Sequence, residues 1–104
     1  MDPEDQKLVT LARATRARTG AAEGAAVRDD TGRTYTAATV ALRTLSLSAL
    51  QAAVAAAVSS GAQQLEAAAV VTDAGHVGDD DVRVLTEMGV ASPLVADPSG
   101  AVLS

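Results

Sequence analysis

The chain contains no cysteine, no tryptophan and no phenylalanine, and it has one tyrosine, one histidine and one lysine among 104 residues. Each shortage excludes a class of chemistry. Without cysteine there is no disulfide framework, thiolate zinc site, iron–sulfur cluster or cysteine nucleophile. A single aromatic residue makes no platform on which the bases of a single strand could stack. A net charge of −5 and a pI near 4.5 argue against a nucleic-acid partner. The longest apolar-rich stretch, Ala49 to Val58 with Gln51 inside it, is short of the roughly 18 residues that a membrane span needs. The acidic start Met1-Asp2-Pro3-Glu4-Asp5 is unlike a signal peptide. A soluble, cytoplasmic protein with no membrane partner is expected.

What the chain has in abundance is alanine, 24 residues of it. Alanine buries little area, so a core built from it yields less transfer free energy per residue than a leucine core. Small side chains do let elements approach closely. They also make burial through self-association a natural supplement. The length suits one small domain, residues 1–104.

The pattern predicts the order α-β-β-α-β-α-β-β. A first helix runs from about Pro3 to Thr19, with Asp2 as N-cap, Pro3 at the first helical position and Gly20 as its stop. Leu8, Val9, Leu11, Ala12 and Thr15 form its apolar stripe. Gly24–Arg28 and Arg33–Ala37 read as a hairpin around Asp29-Asp30-Thr31-Gly32. Ser46 or Ser48 caps a second helix reaching about Ser60. Its segment Ala49–Val58 is apolar nearly all round except Gln51, which predicts burial on more than one side, against a sheet and against a second subunit. The uninterrupted run Ala67–Val71 is the pattern of a strand covered on both faces. Asp79-Asp80-Asp81 introduces an amphipathic helix, Val82 to Met88, then come a strand at Ser92–Ala96, a type I turn at Asp97-Pro98-Ser99-Gly100 and a last short strand at Ala101–Leu103. Strands alternating with helices predict an α/β layered sheet.

Local motifs for chemistry are few. There is no GxGxxG and no Walker A pattern. The serines at 46, 48, 59 and 60 have no nucleophile elbow around them. His76 lies between glycines and acids, where Asp73, Asp79, Asp80 and Asp81 could join it on a divalent ion, but the plainer reading is a solvated loop. The three aspartates lack the ligand spacing of a calcium loop and suit a helix start instead. Arg13, Arg16 and Arg18 could meet an anion, but the plainer reading is a solvated helix end.

Two stretches carry a resemblance. Glu23-Gly24-Ala25-Ala26-Val27 followed by Asp30-Thr31-Gly32-Arg33-Thr34-Tyr35 resembles the first hairpin of the small zinc-dependent cytidine deaminases. Ala52 to Gly61 running into Leu65–Val70 is similar to their central helix and the strand after it. The resemblance covers roughly Leu8 to Leu103. It implies a three-layer α/β/α fold with a mixed sheet of about five strands, assembling as a homodimer or homotetramer around the Ala49–Val58 helix.

The resemblance also implies where chemistry should sit. The family uses a zinc-activated water and a glutamate that carries its proton. Its C-A-E motif falls on Ser48-Ala49-Leu50, placing serine at a metal-ligand position and leucine at the glutamate. Its P-C-x-x-C motif falls near Gly78–Val82, with Asp79 and Val82 at the cysteine positions. Its ribose-binding N-x-E falls on Thr39 and Ala41. Thr39, Ala41, Ser48, Leu50, Asp79 and Val82 would thus outline a vestigial pocket with no catalytic residue and no zinc. The expectation is a catalytically inactive, cytidine deaminase-like protein with a binding, regulatory or structural role. Two alternatives stand beside it. One is a nucleoside or nucleotide sensor using the vestigial pocket. The other is a divergent deaminase with a non-thiolate metal held by His76 and the carboxylates from Asp73 to Asp81.

Overall fold

The computed structural model describes residues 1–103. Helix α1 spans Pro3–Thr19. The Asp2 carboxylate accepts from the Glu4 N–H at 2.7 Å, and Gly20 closes the helix with φ +66°. Strands β1 (Gly24–Asp29) and β2 (Thr34–Ala38) form the expected hairpin, with Val27 opposite Tyr35. A two-stranded ribbon follows, β3 (Val40–Ala41) with β4 (Ser46–Leu47), which the sequence pattern does not announce. Helix α2 spans Ala49–Ser59, strand β5 Leu65–Val71, helix α3 Asp79–Glu87 and strand β6 Leu94–Ala96. The main sheet runs β2-β1-β5-β6, antiparallel except for the parallel pair β5·β6.

The sheet is mixed, as expected, but has four strands rather than five. The segment expected as a last strand makes one isolated bridge, Ala96 to Val102. The turn before it forms as read, with the Gly100 N–H donating to the Asp97 carbonyl at 2.8 Å.

Side chains on β1 and β5 alternate between two cores. Ala25, Val27, Ala68 and Val70 face α2 and α3, where Leu50, Val54, Ala57 and Leu85 meet them. Ala26, Ala69 and Val71 face α1, packing on Leu8, Val9 and Ala12. The run Ala67–Val71 is thus covered on both sides, as its lack of alternation implies. Arg28 ties the first turn of α1 to the sheet. Its Nε donates to Glu66 at 2.6 Å and its Nη2 to Asp5 at 3.3 Å.

One glycine sets the spacing of the α1 layer. A Cβ on Gly24 would collide with the Ala12 carbonyl oxygen and stand 2.9 Å from the Cβ of Arg16. Helix and strand backbones touch there, so no side chain can yield to make room. Gly24→Ala should therefore cost at least the ~1–3 kcal/mol typical of overpacking. Denaturant unfolding checks this. A loss within about 0.5 kcal/mol, the range of an ordinary surface change, would show that α1 is not held by this contact.

Candidate functional site

Ser48 sits where the ribbon ends and α2 begins. Its Oγ accepts from the Gln51 N–H at 3.0 Å, and its own N–H donates to Gln51 Oε1 at 2.9 Å. This reciprocal capping box satisfies two helix-end donors and fixes the serine rotamer. With its acceptor side occupied, the hydroxyl donates to Asp81 Oδ1 at 2.6 Å, within the range of a charge-assisted bond. Asp81 lies in the first turn of α3, three residues after the cap Gly78, and is only 7% exposed. Two helix N-termini thus meet at a hydroxyl and a carboxylate.

Around this pair is an open cavity of about 370 Å³, lined by Glu23, Ser48, Gln51, Gly78 and the three aspartates Asp79, Asp80 and Asp81. Four of its lining side chains are carboxylates and none is cationic. The field inside is therefore anionic, relieved in part by the positive ends of α2 and α3.

The residues singled out in the sequence separate into groups. Ser48 and Asp79 line the cavity. Leu50 is fully buried in the core with Val54, Leu65 and Leu85. Thr39 is bound to Glu23, accepting from its N–H at 3.1 Å and donating to its carbonyl at 3.4 Å. Ala41 is exposed on β3. Val82 points elsewhere and lines a separate cavity of about 350 Å³ with His76, Val77 and Pro93. On α3 it is Asp81 that bonds Ser48, and Gly78, three residues before it, lines the same cavity; a C-x-x-C spacing laid on these two lies one position earlier than Asp79 and Val82. A helix presents only every third or fourth residue to one neighbour, so this shift of one changes which side chain faces the serine.

The donor set does not suit zinc. Protein zinc sites draw on imidazole nitrogen and thiolate sulfur, with carboxylates in a minority. Here the candidates are a hydroxyl engaged as a donor, one buried carboxylate and a glycine without a side chain. No group of three His, Cys, Asp or Glu side chains is placed to hold a metal among the described residues. His76 faces the other cavity, its Nδ1 3.1 Å from the Ala74 carbonyl, and Asp73 lies 3.9 Å from Arg16. The histidine and the carboxylates of the alternative metal reading are thus not gathered at one point. Arg13 and Arg16 donate to the carbonyls of Pro98 and Ala22, so they fasten loops.

Sequence reasoning missed another cavity, about 540 Å³, between the first hairpin turn and the end of α2. Asp29 dominates it. Its Oδ1 accepts from the Thr31 hydroxyl at 2.7 Å, the Thr31 N–H at 2.9 Å and the Arg33 N–H at 3.0 Å, and its Oδ2 from the Tyr35 hydroxyl at 3.0 Å. The Thr31 hydroxyl, followed by the two backbone donors and Tyr35, holds the carboxyl below its ordinary range against the opposing effect of desolvation. The signal was the turn string Asp29-Asp30-Thr31-Gly32 itself, which builds a structural carboxylate.

Comparison with known proteins accords with this geometry. The family profile described as cytidine deaminase-like matches residues 1–100. A mutant cytidine deaminase from Mycobacterium tuberculosis superposes with a TM-score of 0.70 at 31% identity, over 86% of this chain and 81% of that one. The cytidine deaminase from Burkholderia pseudomallei gives a TM-score of 0.78 at 22% identity over 92% and 87% of the two chains. That from Mycobacterium leprae gives 0.70 at 23% over 93% and 91%. The last two likenesses concern the fold alone. A comparison with curated protein sequences finds no match. The profile match along nearly the whole chain, together with the 31% identical structural relative, shows that the chain belongs to the cytidine deaminase-like family.

Proposed function

We propose that this chain is a cytidine deaminase-like protein without deaminase chemistry, acting by binding or regulation as a homo-oligomer. The observation that carries this reading is the Ser48–Asp81 hydrogen bond, with Leu50 sealed in the core beside it. Hydrolytic deamination of a cytosine ring needs an activated water and a group that shuttles its proton. Leu50 stands at the position where the resemblance puts that group, and a buried alkyl side chain carries no proton. Ser48 stands at a ligand position with its lone pair turned to Gln51 and its proton to Asp81. Thr39, at a sugar-binding position, is engaged with the Glu23 backbone. Four carboxylates in the cavity repel phosphate, so nucleotide binding there forms no part of this reading.

Self-association is proposed through the outer face of α2. Val58 is 49% exposed, Ala55 is exposed, and Ala52 and Ala56 are half-buried. The nearby ribbon adds Leu42 and Leu45, 64% and 49% exposed. Small residues of this kind let two helices approach closely across an interface, where the leucines could be covered.

Three measurements test the proposal. Incubated with cytidine or deoxycytidine, the purified chain should release no ammonia above the buffer rate, whereas turnover in the ordinary enzyme range of about 1–10³ s⁻¹ would overturn it. The register at α3 is tested by rebuilding. Gly78 has φ −76° and open space where a Cβ would stand, so the triple variant Ser48→Cys/Gly78→Cys/Asp81→Cys should take up about one zinc per chain. The triple variant Ser48→Cys/Asp79→Cys/Val82→Cys should take up far less, and the reverse ranking would restore the other register. In sedimentation, the wild type should run as a dimer or larger and Val58→Arg as a monomer with unchanged circular dichroism. A monomeric wild type would remove the oligomer from the proposal.

A further inference from the structure

The first turn of α3 has little apolar packing to hold it. Its cap, Gly78, offers no side chain to the helix-end amides, and Asp79 and Asp80 are exposed. The loop before it, residues 73–78, is exposed apart from the half-buried Val77. The apolar anchors of α3, Leu85 with Val84 and Met88, lie toward its other end. Asp81 is the one buried residue of that turn. A buried carboxylate is retained only when its acceptors are engaged. The Ser48 hydroxyl engages one, and it is the one hydrogen bond between the cap of α2 and α3 among the described residues.

We infer that the Ser48–Asp81 hydrogen bond is a metal-free tether that docks the first turn of α3 on the cap of α2 and so holds the acidic cavity in shape. The tether rests on the reading above in one respect, that Ser48 and Asp81 stand where a metal would otherwise join the two helices. Ser48 is suited to this work because the capping box presents its proton outward. Asp81 is suited to it because its position three residues past the cap points it back along the helix end.

Hydrogen exchange on the full chain separates the possibilities. In Asp81→Ala, the hydrogen-bonded amides of residues 81–83 should exchange at least about tenfold faster, the effect of losing a charge-assisted bond, while those of β1 hold their protection. Asp81→Asn keeps an oxygen that accepts from Ser48, so its exchange should stay within about threefold of wild type. The Ser48→Ala/Asp81→Ala pair should exchange no faster at residues 81–83 than Asp81→Ala alone, because the bond between the two helices is already lost in the single variant and the further loss of the Ser48 cap falls on α2. Asp81→Asn matching Asp81→Ala, or acceleration spread evenly over the chain, would overturn the tether. Should Asp81→Ala fail to fold, Ser48→Ala and Asp81→Asn make the same comparison. Exchange of the wild type should be unchanged by EDTA or by added zinc. Protection that rises with zinc would overturn the metal-free reading itself, whereas indifference to zinc with no local effect of Asp81→Ala would overturn the tether alone.

Discussion

Strands β1 and β5 must be buried on both faces by very small side chains, and the rest of the molecule follows from that constraint. Where Ala25, Ala26, Ala68 and Ala69 occupy the sheet's centre, each contributes little area, and stability depends on how near the covering helices can come. Gly24 is the limiting case, where the backbone of α1 lies against the strand with no Cβ between them. Larger residues compensate the thin strands from both sides, Leu50, Leu65 and Leu85 on the α2 face and Leu8 and Val9 on the α1 face.

The packing on the α2 face bears on the site. Seating α2 so deeply turns its second residue, Leu50, into the core and leaves Ser48, at the cap, as the first group facing the cavity. A leucine at position 50 adds apolar area where the alanine-rich sheet supplies little. In our account the gain in packing and the loss of a proton carrier are one substitution seen from two sides. Asp81 then fits the same logic. A buried carboxylate opposite a serine can be satisfied by one short bond, with no ion between them.

Much of the fold was legible because its signals are local. Asp2 and Pro3 open α1 and Gly20 closes it, and the Asp29–Gly32 and Asp97–Gly100 turns form through their own side chains. The run Ala67–Val71 declared its two-sided burial by failing to alternate. The missed features depend on distant partners. The β3–β4 ribbon has strands of two residues, too short for any period. In Asp79-Asp80-Asp81 the inward aspartate is marked only by its place four residues before the buried Leu85, and its partner is a serine 33 residues away. Val82, expected beside Ser48, lines the cavity of His76 instead. Thr39 and Ala41 are grouped with the pocket by the resemblance to the family's N-x-E; Thr39 is hydrogen-bonded to the Glu23 backbone and Ala41 is exposed.

The central claim is that a family scaffold here carries a cavity without a zinc centre, and the most direct test is the metal content of the purified chain. Mass spectrometry of protein prepared without chelator or affinity metal measures it. Our account predicts zinc well below one atom per chain, because a hydroxyl already bonded to a carboxylate and a glycine offer it no adequate ligand set. Stoichiometric zinc would contradict the account, and would mean that Ser48, Asp81 and their neighbours rearrange around an ion rather than around each other.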